Sequence, residues 1–516
     1  MTDPPDPLDP PFFAAARVPV LTAAEMRAWD QQAIEARGVP ERVLMESAGR
    51  AAAAVVQRLY PSGRVVAVTG SGNNGGDALV AARTLWMWGR EVAVVHVGSR
   101  PLDGALLHGW EMKPAQAADA FPGAAVLIDG LLGTGASGAP SGAYADAIAA
   151  MNGAGCPVVA LDGPSGVDLT TGAAPGGAVR AEVTVTFGAP KRGLLLFPGR
   201  GLAGRIVAVE IGFPRLAEDG ASARLITSAW AHSILPPVPA NAHKGTMGKV
   251  SVVAGRRGMA GAAVLAGLGA LRAGAGMASL VSPAANREIL QTALPEALYV
   301  DRDNVEPGFL AGSKSAVVGP GMGTDGEALD LLRAIARESG VPLVLDADAV
   351  TLLAAHSDLR DAIGDRPLVL TPHPGEMSRL LSIPVDEVTA DPFGAAARAA
   401  ERFTCTVLLK GAPSLAATPG RATRVSVGGH SGLATGGNGD VLSGVVGAFL
   451  ARGMEPSDAA GAALWFAGRA AELAGRGRGL LPRDVADALP AALLEVPAPE
   501  SALGLPGIVL DLPPAR

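Results

Sequence analysis

Cysteine is almost missing from this chain: Cys156 and Cys405 are the only two in 516 residues, far apart and each inside an apolar run. Two isolated thiols exclude a disulfide framework, and no cysteine or histidine cluster is present that could hold zinc. Both are expected to be buried structural thiols in a reducing compartment. Long hydrophobic runs are missing too. Stretches such as 260–271 stop short of the roughly 20 residues a membrane span needs and are interrupted by glycine, so no membrane partner is expected. No block of lysine and arginine occurs, and the formal charge of −7 offers no basic footprint, which excludes a nucleic-acid partner. The opening MTDPPDPLDPP is acidic and proline-rich and lacks the basic and apolar regions of a signal peptide. Residues 1–18 are therefore expected to form a disordered lead-in to a soluble, cytoplasmic protein.

What abounds is glycine, 68 residues, roughly twice the usual share. It follows no strict period, which points to many tight βα turns. With 49% apolar residues, the chain has enough for two sizeable cores. Thr22 and Glu25 have capping-box spacing, with Met26, Trp29, Ala33 and Ile34 recurring on one helical face, and a second helix is predicted from about Pro40 to Tyr60.

Short β-branched runs then alternate with helix-length stretches: 65–69, 92–97, 125–129, 158–162, 183–187 and 206–211. Continuous apolar strands of this kind predict a largely parallel sheet covered on both faces. The last two runs lie close together and suggest an antiparallel or β-rich edge. The rhythm breaks over 213–245, where Pro236, Pro237 and Pro239 stiffen a connector, so a domain boundary is placed near 225. It resumes with runs at 249–255, 277–281, 315–319, 342–346, 367–371, 406–410 and 424–428, followed by helices starting near Gly439 and Pro456. The expected organisation is an α/β protein with domains at 19–225 and 226–495 and a flexible tail at 496–516.

After the first strand comes GSGNNGGDA, residues 70–78, leading into a helix. A glycine-rich turn at a strand's carboxyl end lets backbone approach a ligand, and helix N–H groups face anions. It is neither a dinucleotide fingerprint nor a P-loop, and a plain tight turn remains the alternative for this motif alone. Two more strand ends carry carboxylates beside glycine-rich loops, Asp129 before GLLGTGASGAP and Asp162 in LDGPSGVD, and a third leads into APKRGLLLFPG. Oxygen donors of this type suit an alkali or alkaline-earth cation rather than zinc.

In order and spacing, these motifs resemble the YjeF N-terminal family of NAD(P)H-hydrate epimerases across most of 20–215. The resemblance implies a Rossmann-like three-layer domain. In it Asn73, Asn74, Gly75, Gly76 and Asp77, with Gly133, Thr134, Gly135, Ala136, Ser137, Gly138 and Ala139, cradle the hydrated dinucleotide. It further implies K⁺ held by Asn74, Asp129 and Ser165, and substrate contact by Asp162. Ala78 departs from the glycine that many relatives carry there. Epimerisation at C6 of the hydrated ring needs proton transfer and stabilisation of a cationic ring, and Asp162 is the nominated group.

The second half carries GRRGMAGAA, VVGPGMGTD, LDADA, TPHPGEM, LLKGAPS and GLATGGNGDVLSG. GGNGD at a helix start turns backbone N–H groups toward an anion, and an aspartate there can take a proton from a hydroxyl attacking a phosphoryl group. These motifs resemble the ADP/ATP-dependent NAD(P)H-hydrate dehydratases, a branch of the ribokinase-like fold, over nearly all of 235–490. The resemblance implies that Ala260, Gly321, His373 and Asp440 contact the hydrate. Lys410, Gly411, Ala412, Pro413, Ser414 and Gly439 would bind ADP or ATP, Mg²⁺ would neutralise phosphate charge, and Asp440 would act as base. Glu376 is a candidate for holding Mg²⁺ through water, and Asp346 and Asp348 read as helix caps. The joint expectation is a homo-oligomeric two-site enzyme acting on NADHX and NADPHX. Two alternatives stay open: a small-molecule kinase in the second half, and a non-catalytic binding module in the first.

Overall fold

The computed structural model describes residues 18–515 apart from positions 99, 103, 111, 113, 215–219, 307, 338–339 and 498–500. The predicted lead-in thus lies outside the described residues but for its last position, Val18, which is buried. The chain divides into two compact units, one reaching Arg224 and resuming after Pro497, the other spanning Leu225–Pro497.

The first unit opens with helix α1 (Ala23–Gln31), capped as its sequence spells. Thr22 Oγ1 accepts from Glu25 N at 3.1 Å, and Glu25 Oε2 accepts from Thr22 N at 2.7 Å. Then come α2 (Glu41–Leu59), β1 (Arg64–Thr69), α3 (Asn73–Met87), β2 (Val92–His96), β3 (Ala124–Gly130), α4 (Ala143–Asn152), β4 (Val158–Leu161), β5 (Val183–Phe187) and β6 (Arg205–Val209). The strands lie in the order β2-β1-β3-β4-β5-β6, every neighbouring pair parallel. Their Val- and Ile-rich faces are buried on both sides, as a doubly wound sheet requires. The winding reverses between β1 and β3, where the loops leaving the two strands part and open a crevice.

One edge of this sheet differs from expectation. Residues 188–204 form a crossover containing a short helix, Gly199–Leu202, so β6 pairs parallel with β5. The antiparallel edge comes instead from the predicted flexible tail, where Ile508–Leu512 pairs antiparallel with β6. Val509 and Leu510 are buried there, and Asp511 accepts two hydrogen bonds of 2.6 Å from Arg205.

The second unit contains β7 (Lys249–Val253), α5 (Ala260–Arg272), β8 (Met277–Ser282), β9 (Leu298–Asp301), β10 (Ser315–Val318), β11 (Leu343–Leu345), α6 (Asp348–Ala355), β12 (Leu368–Leu370) and α7 (Pro374–Leu381). After these come β13 (Thr406–Leu409), β14 (Ser414–Ala417), β15 (Thr423–Ser426), α8 (Asn438–Ala451), α9 (Pro456–Ala474) and α10 (Pro482–Leu494). The strand order is β15-β14-β13-β12-β11-β10-β7-β8-β9, parallel from β9 to β13 and antiparallel through β14 and β15. Here the winding reverses between β7 and β10. Helices α5 and α8 touch backbone to backbone, because a Cβ on Gly444 would stand 2.0 Å from the Ala266 carbonyl oxygen. That contact sets the start of α8, with Asp440, against α5. Among the described residues no helix is long and apolar enough to cross a membrane.

Candidate active sites

The crevice of the first unit is a cavity of about 500 Å³ at the carboxyl ends of β1, β3 and β4. Asn73, Asn74 and Asp77 line it from the first turns of α3, and Gly133, Thr134, Gly135 and Ala136 from the loop after β3. The loop before α3 hugs the helix closely: a Cβ on Gly75 would stand 2.1 Å from the Gly70 carbonyl oxygen. Ser137, Gly138 and Ala139 do not line the cavity, and Ala139 packs toward Gly176 instead.

Asp162 enters from the end of β4 with a backbone φ of +64°, a left-handed conformation that costs a non-glycine residue energy and must be held by its surroundings. Lys191 does the holding. Its ammonium is buried and ion-paired with Asp162, and it also donates to Thr186 Oγ1 at 3.1 Å and to the Phe187 carbonyl at 2.6 Å. Lys191 lies within the APKRG motif but is not among the nominated residues. Asp30 and Glu41 also line the cavity and are absent from the nominations. Asp30 follows Met26 by four residues on the same face of α1, and that spacing was the signal available for it.

Burial, and then the neighbouring Asp162 and Asp30 carboxylates, push Asp77 well above the ordinary aspartate range. Asn74, Asp129 and Ser165 join one buried network. Ser165 Oγ donates to Asp129 at 2.7 Å and accepts from Leu132 N at 2.9 Å, while the Asn74 amide donates to the Leu132 and Leu161 carbonyls at 2.9 and 3.1 Å. Asn74 Oδ1 is buried with no partner. Burial raises Asp129 to about 6, against the lowering effect of the Ser165 hydrogen bonds.

In the second unit the nominated residues come from the carboxyl ends of β7, β10, β12 and β13 and from the start of α8. Ala260 opens α5, and Gly321, at φ +56°, lies against Met259 and Ala262, where a Cβ would stand 3.2 Å from each of theirs. His373 caps α7, its Nδ1 accepting from Gly375 N at 2.9 Å and its Nε2 lying 3.4 Å from Glu376. Lys410 Nζ lies 2.7 Å from Asp346, 3.9 Å from Glu376 and 3.3 Å from where a Gly439 Cβ would stand. Gly411 and Ser414 close the next loop on each other, Ser414 Oγ donating to the Gly411 carbonyl at 2.8 Å around a cis Ala412–Pro413 bond.

Contrary to the sequence expectation, Asp346 and Asp348 do not cap α6 with their side chains. Between them Ala347 takes a φ of +48°, so neither carboxylate turns back onto the helix start. Asp346 instead accepts from Thr371 Oγ1 and Lys410, each at 2.7 Å, and Asp348 accepts from Gly323 N at 2.8 Å. Burial pulls Lys410 down, but Asp346, Glu376 and Asp440 outweigh it and hold the ammonium above its ordinary value. Burial and the Asp346 charge raise Asp440 to about 7, which suits proton transfer near neutrality.

Two family models match the chain, one described as YjeF-related protein N-terminus over residues 41–193 and one as NAD(P)H-hydrate dehydratase over 250–491. The bifunctional NAD(P)H-hydrate repair enzyme Nnr of Moorella thermoacetica is 37% identical over 513 residues, covering 92% of this chain and 96% of its own. The chain belongs to the family of bifunctional NAD(P)H-hydrate repair enzymes. The family member from Escherichia coli is 34% identical, with 90% of this chain and 92% of its own covered. The crystal structure of a Bacillus subtilis ADP/ATP-dependent NAD(P)H-hydrate dehydratase, grown with ATP and Mg²⁺, is 29% identical with a TM-score of 0.47. It covers 52% of this chain and 96% of that one.

Proposed function

We propose that this chain repairs hydrated nicotinamide dinucleotides in two steps. Its first unit, which reaches Arg224 and includes the strand Ile508–Leu512, interconverts the R and S epimers of NADHX and NADPHX, and its second, Leu225–Pro497, dehydrates the S form with ADP or ATP. One observation carries the reading: similarity to two-part relatives runs through both units, and each unit brings a candidate acid/base aspartate, Asp162 in the first and Asp440 in the second, among its glycine-rich loops.

In the first unit Asp162, paired with Lys191, faces the cavity beside Gly133 to Ala136. It exchanges a proton with the C6 hydroxyl and stabilises the cationic ring formed as that hydroxyl departs. The orphaned Asn74 Oδ1 and the buried Asp129 carboxylate fit a hard cation such as K⁺, with Ser165 completing the set of candidate ligands. A bound K⁺ would supply a fixed positive charge that ties the loops after β1, β3 and β4 together.

In the second unit Asp440 takes the proton of the C6 hydroxyl as its oxygen bonds to the terminal phosphorus and the bond to the nucleotide leaving group breaks. Phosphate then departs from C6, helped by the ring nitrogen lone pair. Loss of a C5 proton restores the double bond, giving reduced dinucleotide, inorganic phosphate and the shortened nucleotide. Lys410 and the backbone of Gly411 to Ser414 and Gly439 bind the nucleotide, while Ala260, Gly321 and His373 position the hydrate. Mg²⁺ is commonly held by one or two carboxylates together with substrate phosphates, and buried Glu376 beside Lys410 fits that need through a water. A bound Mg²⁺ would neutralise phosphate charge. We further propose that the protein acts in the cytoplasm as a homo-oligomer.

The test mixes both hydrate epimers with the protein, Mg²⁺ and ADP or ATP, following reduced-nicotinamide absorbance and free phosphate. Asp440→Asn is expected to slow dehydration about 1,000-fold while epimer exchange persists. Loss of both activities in a folded variant overturns the two-site reading, and accumulation of a phosphorylated hydrate identifies a kinase instead.

A further inference from the structure

Inverting one stereocentre by removing and returning a hydroxyl imposes a geometric demand. The hydroxyl leaves one face of the ring as water, which needs a proton, and water adds to the other face, which releases one. A single carboxylate held at one place serves one face well. A second proton-handling group on another wall of the cavity is therefore needed, and Asp162, fixed at the end of β4 by Lys191, accounts for one alone.

The cavity offers Asp30. It lies in α1, a different element from the strand ends that carry Asp162 and Lys191, and lines the same 500 Å³ space. Its carboxyl group is half-buried and has no hydrogen bond or ion pair among the described residues, unlike Asp162. Glu41, the other unnominated carboxylate of this wall, already accepts from the Asn73 amide at 2.6 Å. The charged groups sharing the cavity with Asp30 are Arg27 on its own helix, Glu41 from α2, Asp77 from α3, Arg100, Asp162 and Lys191. Arg27 is turned toward the Thr134 carbonyl, 3.2 Å away.

We propose that Asp30 is the second acid/base residue of epimerisation, serving the ring face that Asp162 does not. This rests on the epimerase reading above. In one direction the Asp30 carboxylic acid protonates the C6 hydroxyl, and the C6–O bond breaks as the ring-nitrogen lone pair forms the C6–N1 double bond. Water then attacks C6 from the other face and gives its proton to Asp162. The opposite direction runs with the two roles exchanged. One proton is given and one taken, one water leaves and one arrives, and no oxidant or co-substrate is consumed. The environment supports the acid role: burial, with Asp162 and Glu41 adding to it and Lys191 opposing, raises Asp30 to about 6.

The experiment follows exchange of a single epimer of NADPHX by the full chain without nucleotide, so that dehydration is silent. Asp30→Asn should lower kcat about 100-fold with KM changed less than about threefold, and Asp30→Glu should recover part of the loss. The wild-type kcat profile should bend near pH 6, and the bend should vanish in Asp30→Asn. Urea unfolding of the first unit, compared with wild type, checks that the variants remain folded there, and dehydration of pure S epimer with ADP checks the second unit. Wild-type kcat in Asp30→Asn, or a raised KM alone, overturns the proposal. If the variant does not fold, a wild-type profile with no bend near pH 6 overturns it instead. Failure of the wild type itself to exchange epimers sinks the epimerase reading, a result distinct from any of these.

Discussion

Both units pair a lysine with an aspartate at the carboxyl end of a parallel strand, and the two pairs differ in what the lysine has left to offer. In the first, the Lys191 side chain is 1% exposed and its donors are taken by Asp162, Thr186 and Phe187. In the second, Lys410 is 21% exposed, rests on Asp346 and faces the glycine at the start of α8. A saturated, enclosed ammonium fixes the geometry and charge of its carboxylate. One with an open side can meet incoming phosphate. On the function proposed above, the same pair serves proton transfer without a nucleotide in one unit and nucleotide binding in the other. Each pair sits beside a non-glycine residue in left-handed backbone, Asp162 itself and Ala347, a strain that accompanies functional strand ends.

The sharpest way to break this comparison is to remove each ammonium. Lys191→Met leaves Asp162 largely buried without its partner and should cost about 3–5 kcal/mol of stability in the first unit, read by urea unfolding, together with loss of epimer exchange. Lys410→Met leaves the buried Asp346 a 2.7 Å hydrogen bond from Thr371, whereas Asp162 without Lys191 keeps only contacts of 3.5 Å, so its stability cost should be smaller, about 1–3 kcal/mol. Its main effect should be a rise in KM for nucleotide. Equal stability losses, with nucleotide KM unchanged in Lys410→Met, would remove the distinction.

A second measurement sharpens it through pH. With Asp440 raised to about 7, kcat/KM for dehydration should fall about tenfold per pH unit below that value as the base takes up its proton. Lys410→Met removes a charge that lowers this value and should move the limb to higher pH. Asp346→Asn removes one that raises it and should move the limb down. The linkage has the matching sign. A carboxyl raised on folding contributes stability below the ordinary aspartate range, and this is lost as pH rises through about 7. A limb that stays put in both variants would show that the pair does not act on Asp440.

Much of this arrangement was legible because parallel strands are short continuous apolar runs and their glycine-rich loops mark the ends where ligands bind. Six runs in the first half became the six parallel strands of its sheet. Less legible was anything that depends on side-chain direction. Asp346 and Asp348 read as caps because nothing in LDADA announces that its alanine adopts left-handed backbone. Nothing in APKRGLLLFPG announces which way the Lys191 side chain turns, and its partner Asp162 is 29 residues away. Asp30 shares the helical stripe of Met26 and Ala33, and such a stripe is ordinarily filled by core residues.

The smallest effect concerns the edge strand that composition concealed. Its five residues, Ile508–Leu512, sit after Pro506 and Gly507 and before two more prolines, so the segment has the composition of a frayed end. Antiparallel pairing with β6 nevertheless buries Val509 and Leu510, and the fork-to-fork contact between Arg205 and Asp511 fixes the register. The Asp511 side chain is 4% exposed, whereas that of Arg205 is 27% exposed and keeps access to water. Asp511→Asn retains one oxygen acceptor, so the first unit should lose only about 1–2 kcal/mol, seen as faster amide exchange in Arg205–Val209. Amide exchange should not change at the ends of β1 and β3, because the C-terminal strand covers the edge of the sheet far from its switch point. If exchange there rises as much as in β6, the edge strand supports the crevice as well as the sheet.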